Sequence, residues 1–191
     1  MEVLKQNRKP ATLVYPVPAV MVSCGNKSEE YNIITIAWTG TINSLPPMCY
    51  ISIRPERHSH GIIKKYMEFV INLTSKNLTY QTDFCGYKSG RKINKFEEMN
   101  LTPQKANIVG CPIIAESPVN IECKVERIIP LGSHNMFIAE IVNINLNNDL
   151  IDEKTGTLKI EKLDLVAYSN GFYHELGNII GKSGFSVNNK I

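Results

Sequence analysis

Residues 52–60 bring together side chains that can bind an anion. Arg54, Arg57, His58 and Ser59 lie where a predicted strand ends and a predicted short helix begins. The planar guanidinium group of arginine matches phosphate oxygens, and the first turn of a helix offers unpaired N–H groups. This pattern indicates a pocket for one phosphate group. The alternative is a solvated helix start in which Ser59 caps the helix and Arg57 forms a surface ion pair.

Two histidines in this segment raise the question of a metal site. His58 and His60 are two residues apart, and on a strand this spacing would point both at one metal ion. No third ligand lies near them in the sequence. The pattern therefore favours a solvated or phosphate-facing pair at the start of a helix.

A second candidate site lies at the end of an earlier strand. Trp38, the one tryptophan of the chain, is followed by Thr39, Gly40 and Thr41, which are small and rich in hydrogen-bond donors. Such a strand end can hold a flat heteroaromatic ring. The alternative is a core tryptophan followed by an ordinary turn. His134 opens a later strand after a Leu-Gly-Ser turn, and alone it indicates no particular chemistry.

Short strands position these candidate residues. Residues 19–25 and 31–37 flank a polar turn as in a β-hairpin, and residues 119–129 alternate so regularly that they predict a half-buried antiparallel strand. Further predicted strands are residues 48–53, 68–73, 134–146, 165–168 and 171–174. Many short strands, few helices and no βαβ alternation predict a mainly β fold, a β-barrel with short helical insertions.

Composition and absent motifs remove several functional classes. The 191 residues carry a net charge of +3 and are 43% hydrophobic, which predicts one globular domain over residues 1–191 and gives no support to nucleic-acid binding. No two of the 12 glycines are two positions apart, so the G-x-G-x-x-G dinucleotide fingerprint is excluded. The P-loop, the G-x-S-x-G elbow and the H-E-x-x-H motif are also absent.

Cysteine usage and hydropathy bear on the cellular location. Five cysteines without a C-x-x-C pair argue against a disulfide framework and a zinc site. The longest apolar run, residues 13–22, is about half as long as a membrane-spanning helix and contains two prolines. Residues 1–10 show no secretory signal pattern. These observations predict a cytoplasmic protein without membrane contact.

Several ordered motifs span most of the chain. They are YPVP (15–18), NIITIAWTG (32–40), SIRPERHS (52–59), FVINL (69–73), SGR (89–91), KF (95–96), AESP (115–118), LGSH (131–134), FIAEI (137–141) and GKSGFS (181–186). Each is weak alone, but their order and spacing resemble the flavin reductase-like FMN-binding split-barrel family, and in particular its flavoredoxin branch.

The resemblance implies a Greek-key split β-barrel that forms a homodimer and holds one non-covalent FMN per subunit near the dimer interface. By this resemblance, the FMN phosphate is bound by Arg54 and Ser59, with His58 close by and with help from Ser89, Arg91 and Lys95. The ring and the ribityl chain are lined by Asn32, Thr35, Ile36, Ala37, Trp38 and Thr39. The later strands place His134 and Tyr168 near the ring, although Tyr168 stands where a phenylalanine is expected.

The function implied by the resemblance is that of an FMN-binding oxidoreductase of the flavin reductase or flavoredoxin type. Electrons pass from NAD(P)H or a redox protein through the bound FMN to flavin, iron or protein acceptors. One alternative is an electron carrier without NAD(P)H activity. Another is a non-enzymatic module that stores or delivers flavin.

The predicted phosphate pocket can be tested by mutation. We expect Arg54→Ala combined with Ser59→Ala to weaken FMN retention at least about tenfold, because two contacts to the phosphate are lost. Retention is measured as the flavin absorbance that stays with the folded protein after gel filtration. Unchanged retention in a folded double variant would remove this phosphate site.

Overall fold

The computed structural model describes residues 4–187, so both ends of the predicted 1–191 domain lie outside the described residues. Its strands are β1 (Val17–Pro18), β2 (Val20–Cys24), β3 (Asn32–Ile36), β4 (Thr39–Ser44), β5 (Pro47–Ile53), β6 (Glu68–Leu73), β7 (Pro103–Gln104), β8 (Ile113–Ile114), β9 (Val119–Pro130), β10 (Asn135–Leu146), β11 (Val166–Ser169) and β12 (Phe172–Glu175). Its α-helices are α1 (His58–Tyr66), α2 (Thr79–Tyr87) and α3 (Lys95–Glu98). The prediction of a mainly β fold with short helices is confirmed.

Seven strands form one antiparallel sheet in the order β3-β2-β6-β9-β10-β5-β4. Its two edge strands, β3 and β4, follow each other in the chain and are joined by Ala37 and Trp38. Val22 and Ile36 from one half of the sheet share a buried core with Phe137 from the other half. The sheet therefore curls around this core and leaves an open seam between its edge strands.

Strand β2 is buried on both faces, which explains its continuous apolar sequence. Val20 and Val22 face the core inside the curled sheet. Met21 faces the opposite side and belongs to a second cluster with Phe96 of α3 and Cys85 of α2. This second cluster fixes the two helices against the outer face of β2 and β3, next to the open seam.

The predicted hairpin is present, because β2 and β3 pair antiparallel from Val20 with Ile36 to Cys24 with Asn32. Strand β4 is a finding that the sequence did not predict. Its residues are mostly exposed and lack apolar alternation, and the strand forms by pairing with β5. Within the described residues, no helix is both long enough and apolar enough to cross a membrane.

Strand β9 departs from the predicted pattern on its polar face. Lys124 and Glu126 are exposed as expected, but Asn120 and Glu122 on the same face are buried. The reason is that the segment 105–115 covers this part of the strand. The Glu122 carboxylate accepts hydrogen bonds from the backbone N–H groups of residues 107, 108 and 109, at 2.9, 2.7 and 3.0 Å.

Two side-chain amides complete the shell of this carboxylate, since Asn143 and Asn145 of the neighbouring strand β10 each donate to Glu122 Oε1 at 2.8 Å. Burial raises the pKa of Glu122, but the hydrogen bonds outweigh burial and lower the pKa to about 2. Glu122 thus joins a loop without regular structure to the centre of the sheet.

We expect Glu122→Gln to lower the free energy of unfolding by about 2 to 3 kcal/mol, because charge-assisted hydrogen bonds are lost inside the protein. Urea denaturation measures this value. Glu126→Gln, an exposed change on the same strand, serves as the matched control and should change stability by less than about 0.5 kcal/mol. Equal effects of the two substitutions would contradict this role of Glu122.

The same carboxylate predicts a pH dependence. Its folded-state pKa of about 2 lies below the ordinary value of 4.5, so its contribution to stability is present above pH 4.5 and is lost as the pH falls toward 2. Denaturation curves between pH 6 and pH 2 should show a steeper loss of stability for the native protein than for Glu122→Gln. Parallel curves would contradict this linkage.

Candidate functional site

A cavity of about 480 Å³ opens beside the N-terminal end of α1. We call it the basic cavity, because Arg54, Arg57, His58, Lys88 and Lys95 line it and Glu56 is its one acidic lining residue. The Glu56 carboxylate lies 3.8 Å from Arg54. Its lining therefore carries more positive than negative charge, which suits an anionic group.

The floor of the basic cavity contains a buried hydrogen bond between the two chain segments that meet there. Asn32 at the start of β3 donates from Nδ2 to Ser59 Oγ at 2.7 Å, and both residues are buried. This contact corrects the prediction that Ser59 caps α1. The helix begins at His58 after the extended Arg57, so Ser59 lies inside the first turn, and no side chain caps the helix.

Lys95 lies on this floor and is buried. Asn94 caps α3 by accepting a hydrogen bond from Phe96, which turns Lys95 inward. The Lys95 ammonium group donates to the carbonyl oxygens of Ile33 at 2.6 Å and Cys85 at 2.7 Å. Burial and, to a smaller extent, the nearby Arg57 lower the pKa of Lys95 to about 8.

The loop that contains Gly90 lies so close to the floor of the basic cavity that residue 90 must be glycine. A Cβ atom placed on Gly90 would lie 2.0 Å from Asn32 Oδ1, a distance that no real contact permits. The loop carrying Lys88 and Ser89 can therefore approach the Asn32 amide only because residue 90 is glycine.

A smaller cavity of about 160 Å³ adjoins the basic cavity along the open seam of the sheet. The two cavities share Ile34, Arg54 and Arg57 as lining residues. The rings of Trp38 and His134 lie 4.5 Å apart between centroids, so we call this the aromatic cavity. Burial lowers the pKa of His134, and the nearby Arg54 lowers it further, which favours a neutral imidazole.

The structure brings most of the predicted site residues to these two cavities. The basic cavity is lined by Asn32, Arg54, His58, Ser59, Ser89 and Lys95. The aromatic cavity is lined by Thr35, Ile36, Ala37, Trp38, Arg54 and His134. The Thr35 hydroxyl donates to the Thr82 carbonyl oxygen, which leaves the backbone of Thr35 as the part that faces a ligand.

Three predicted residues line neither cavity. The Thr39 hydroxyl donates to the Tyr50 carbonyl oxygen at 2.6 Å. Tyr168 lies in the small β1-β11-β12 sheet and packs edge to face on Tyr173 at 5.3 Å, so its place near a ring remains a prediction. Arg91 lines a separate cavity, which shares Arg57 and His58 with the basic cavity.

Arg57 and Lys88 line the basic cavity but are missing from the set implied by the resemblance. The residue pattern had named Arg57 as an anion-binding candidate, with a surface ion pair as the alternative. Within residues 4–187 Arg57 forms no ion pair. Lys88 stands in a stretch with three other basic residues, Arg91, Lys92 and Lys95, and this pattern does not single it out.

His58 and His60 do not form a metal site. They lie two residues apart on α1, a spacing that sends them to different faces of a helix. His58 lines the basic cavity, whereas His60 Nε2 lies 2.9 Å from Asn135 Nδ2 and its ring contacts the edge of Phe137. In the part of the chain that the structure describes, no cluster of three metal-ligating side chains occurs.

Comparisons with known proteins found a matching family model and similar solved structures. A model of the flavin reductase like domain matches residues 12–177. The structure is similar to flavoredoxin of Desulfovibrio vulgaris (Miyazaki F), with a TM-score of 0.88 and 28% identity, over 96% of this chain and 99% of that chain.

Two sequence relatives extend these comparisons. An uncharacterized protein of Pyrococcus abyssi is 29% identical over 157 residues, 82% of this chain and 90% of the relative. A ferric-chelate reductase (NAD(P)H) of Archaeoglobus fulgidus is 25% identical over 109 residues, 56% of this chain and 63% of the relative.

The position of Lys95 predicts that anion binding weakens in alkaline solution. Two of its N–H bonds are engaged by carbonyl oxygens, so the third N–H that can face the cavity exists only in the charged form. With a pKa of about 8, this charge is present below pH 8 and is lost above it. We expect the affinity for FMN to fall about tenfold between pH 7 and pH 9.5.

Fluorescence titration of the protein with FMN measures this dependence. Lys95→Gln keeps an N–H donor but does not titrate, so its affinity should be low at pH 7 and vary little up to pH 9.5. Lys64→Gln on the exposed face of α1 is the control and should keep the native profile. A native profile in Lys95→Gln would show that another group carries the pH dependence.

Proposed function

The chain belongs to the flavin reductase-like family, and on that premise we propose that it binds one FMN per subunit without a covalent bond and acts as an oxidoreductase. The observation that carries the proposal is the pair of adjoining cavities that share Ile34, Arg54 and Arg57. One cavity is basic, and the other has an aromatic wall. FMN has the same two-part chemistry, a phosphate at one end and a flat ring at the other.

The residues of the basic cavity fit a phosphate group. A phosphomonoester carries about −1.5 to −2 charges near neutral pH, and Arg54, Arg57 and Lys88 supply cations around the cavity. Ser59 and Ser89 add hydroxyl groups. A cavity with this surplus of positive charge gains favourable contacts when a phosphate enters, because the cations otherwise face one another.

The residues of the aromatic cavity fit a flat ring. The backbone from Thr35 to Trp38 runs along one side, and the Trp38 and His134 rings close one end. Trp38 is 40% exposed, which is unusual for the one tryptophan of a chain and supports a role in covering a ligand. FMN bound there would supply the hydride and electron chemistry, as a flavin does.

His134 is the residue that could move a proton beside the ring. Its Nδ1 atom lies 2.9 Å from Ser133 Oγ, which orients the imidazole and leaves Nε2 to give or take a proton. The depressed pKa keeps the imidazole neutral near pH 7. A neutral histidine adds no further charge to the already basic site.

The proposed oxidoreductase has two possible forms, a reductase and an electron carrier, which differ in their electron donor and acceptor. The similarity to a ferric-chelate reductase (NAD(P)H) supports a reductase that oxidises a nicotinamide donor and reduces flavin or ferric iron. The similarity to a flavoredoxin over almost the whole chain supports an electron carrier that receives electrons from a redox protein. The missing dinucleotide fingerprint is compatible with both, because a nicotinamide needs only to stack transiently on an exposed ring.

A homodimer is part of the proposal. The segment before β1, the strand β4 and the turn after β4 expose large apolar side chains, among them Leu13, Val14, Ile42 and Leu45. Exposed apolar residues at the edge of the open seam support burial against a second copy. Sedimentation equilibrium should therefore give about twice the chain mass of 21.5 kDa, and a monomer mass would contradict the dimer.

The absorption spectrum of the purified protein tests the proposed function. We expect a yellow protein that releases FMN on denaturation. Bleaching by anaerobic NADH or NADPH supports the reductase, while bleaching only by a reduced redox protein supports the carrier. Colourless protein that cannot be loaded with added FMN would contradict the cofactor assignment. The spectrum of the Arg54→Ala and Ser59→Ala double variant provides the matched control for specific binding.

A further inference from the structure

A third cavity of about 250 Å³ adjoins the basic cavity at Arg57 and His58. We call it the side cavity. Arg57 and His58 line both the basic cavity and the side cavity, so the two spaces adjoin. Lys65 and Arg91 complete its charged lining, and no acidic residue lines it. At about 30 Å³ per water-sized group, the side cavity can hold a phosphate group and neighbouring atoms.

The positive charges that line the side cavity are only partly neutralised by ion pairs with carboxylates. Lys65 lies 2.7 Å from Glu30, but within residues 4–187 neither Arg57 nor Arg91 forms an ion pair. The charge of Arg91 also acts on His58, whose pKa is lowered first by burial and then by Arg91 and Lys95. Two arginines thus face one small space without a carboxylate partner.

A single FMN phosphate in the basic cavity leaves Arg91 without an assigned contact. The phosphate proposed for the basic cavity is already surrounded by Arg54, Arg57, Lys88 and Lys95, and Arg91 does not line that cavity. Arg91 therefore faces a different position. A ligand that reaches it must extend past Arg57 and His58 from the basic cavity or approach from outside.

We propose that the side cavity binds a second phosphate group, one carried by a dinucleotide. The inference rests on the proposed function, in which the FMN phosphate occupies the basic cavity and the flavin ring occupies the aromatic cavity. Two sources share this chemistry. In a flavin dinucleotide the second phosphate follows directly after the first, and in a nicotinamide dinucleotide it belongs to the donor that stacks on the flavin ring.

Gly61 offers a way to alter the side cavity without changing either of the other two. It lines the side cavity alone, and a Cβ atom placed on it meets no atom within 4 Å. Gly61→Glu adds a carboxylate next to Arg57 and Arg91, while Gly61→Gln adds a neutral side chain of almost the same size. Glu and Gln have similar helix propensities, and both exceed that of Gly, so both variants should fold.

The experiment compares the two variants with FMN, FAD, NADH and NADPH as probes. Dissociation constants for FMN and FAD are measured on the flavin-free protein, and KM values for the nicotinamides on the FMN-loaded protein with ferric chelate as acceptor. We expect Gly61→Glu to weaken binding of one dinucleotide about tenfold relative to Gly61→Gln, and to change FMN binding less than about threefold. The difference should shrink at high salt.

The outcomes distinguish a flavin dinucleotide from a nicotinamide dinucleotide. They also distinguish failure of the second phosphate site from failure of the proposed FMN binding. A selective loss of FAD affinity assigns the side cavity to the flavin dinucleotide, and a selective rise in KM for NADH or NADPH assigns it to the donor. Equal behaviour of the Glu and Gln variants toward every dinucleotide overturns the second phosphate site while FMN binding stands. Failure of the unaltered protein to bind any flavin would instead refute the proposed function.

Discussion

The ammonium group of Lys95 is the contact on which the arrangement of the site depends. It joins three elements, because Lys95 belongs to α3, its first acceptor Ile33 to β3 and its second acceptor Cys85 to α2. A buried cation is unfavourable unless its hydrogen bonds are satisfied, and burial lowers the pKa of this lysine although two carbonyl oxygens accept from it. An anion beside Lys95 would supply a further favourable interaction, as in the function proposed above.

The open seam of the sheet determines the shape of the candidate site. A closed barrel would pair its edge strands, but here β3 and β4 are joined through Ala37 and Trp38 and diverge. The end of β3 thus presents backbone groups that no neighbouring strand occupies along the aromatic cavity. The helix start of α1 and the loop around Gly90 then place cations at one end of the same seam. One topological feature therefore positions both halves of the candidate site.

Much of this arrangement was predictable from the sequence, because local patterns determine it. The β2-β3 hairpin, the start of α1 and the cluster of Arg54, His58 and Ser59 all follow from periodicity and residue type. The burial of Lys95 was not predictable, because the carbonyl oxygens that accept its hydrogen bonds lie 62 and 10 positions away in the sequence. Ser59 was misplaced as a cap for a similar reason, since its partner Asn32 comes from a distant strand. The resemblance supplied the fold and the cofactor, which periodicity alone did not.

The buried carboxylate of Glu122 has a consequence for the motions of the protein. The N–H groups of residues 107–109 belong to a loop without regular structure, and loops of this kind usually exchange their amide hydrogens quickly. Here these N–H groups donate to a carboxylate in the central strand β9. Their exchange requires release of that carboxylate, so we expect these amides to exchange more slowly than those of a loop held only by solvent. Slow exchange would then occur in a segment whose backbone belongs to neither a helix nor a strand.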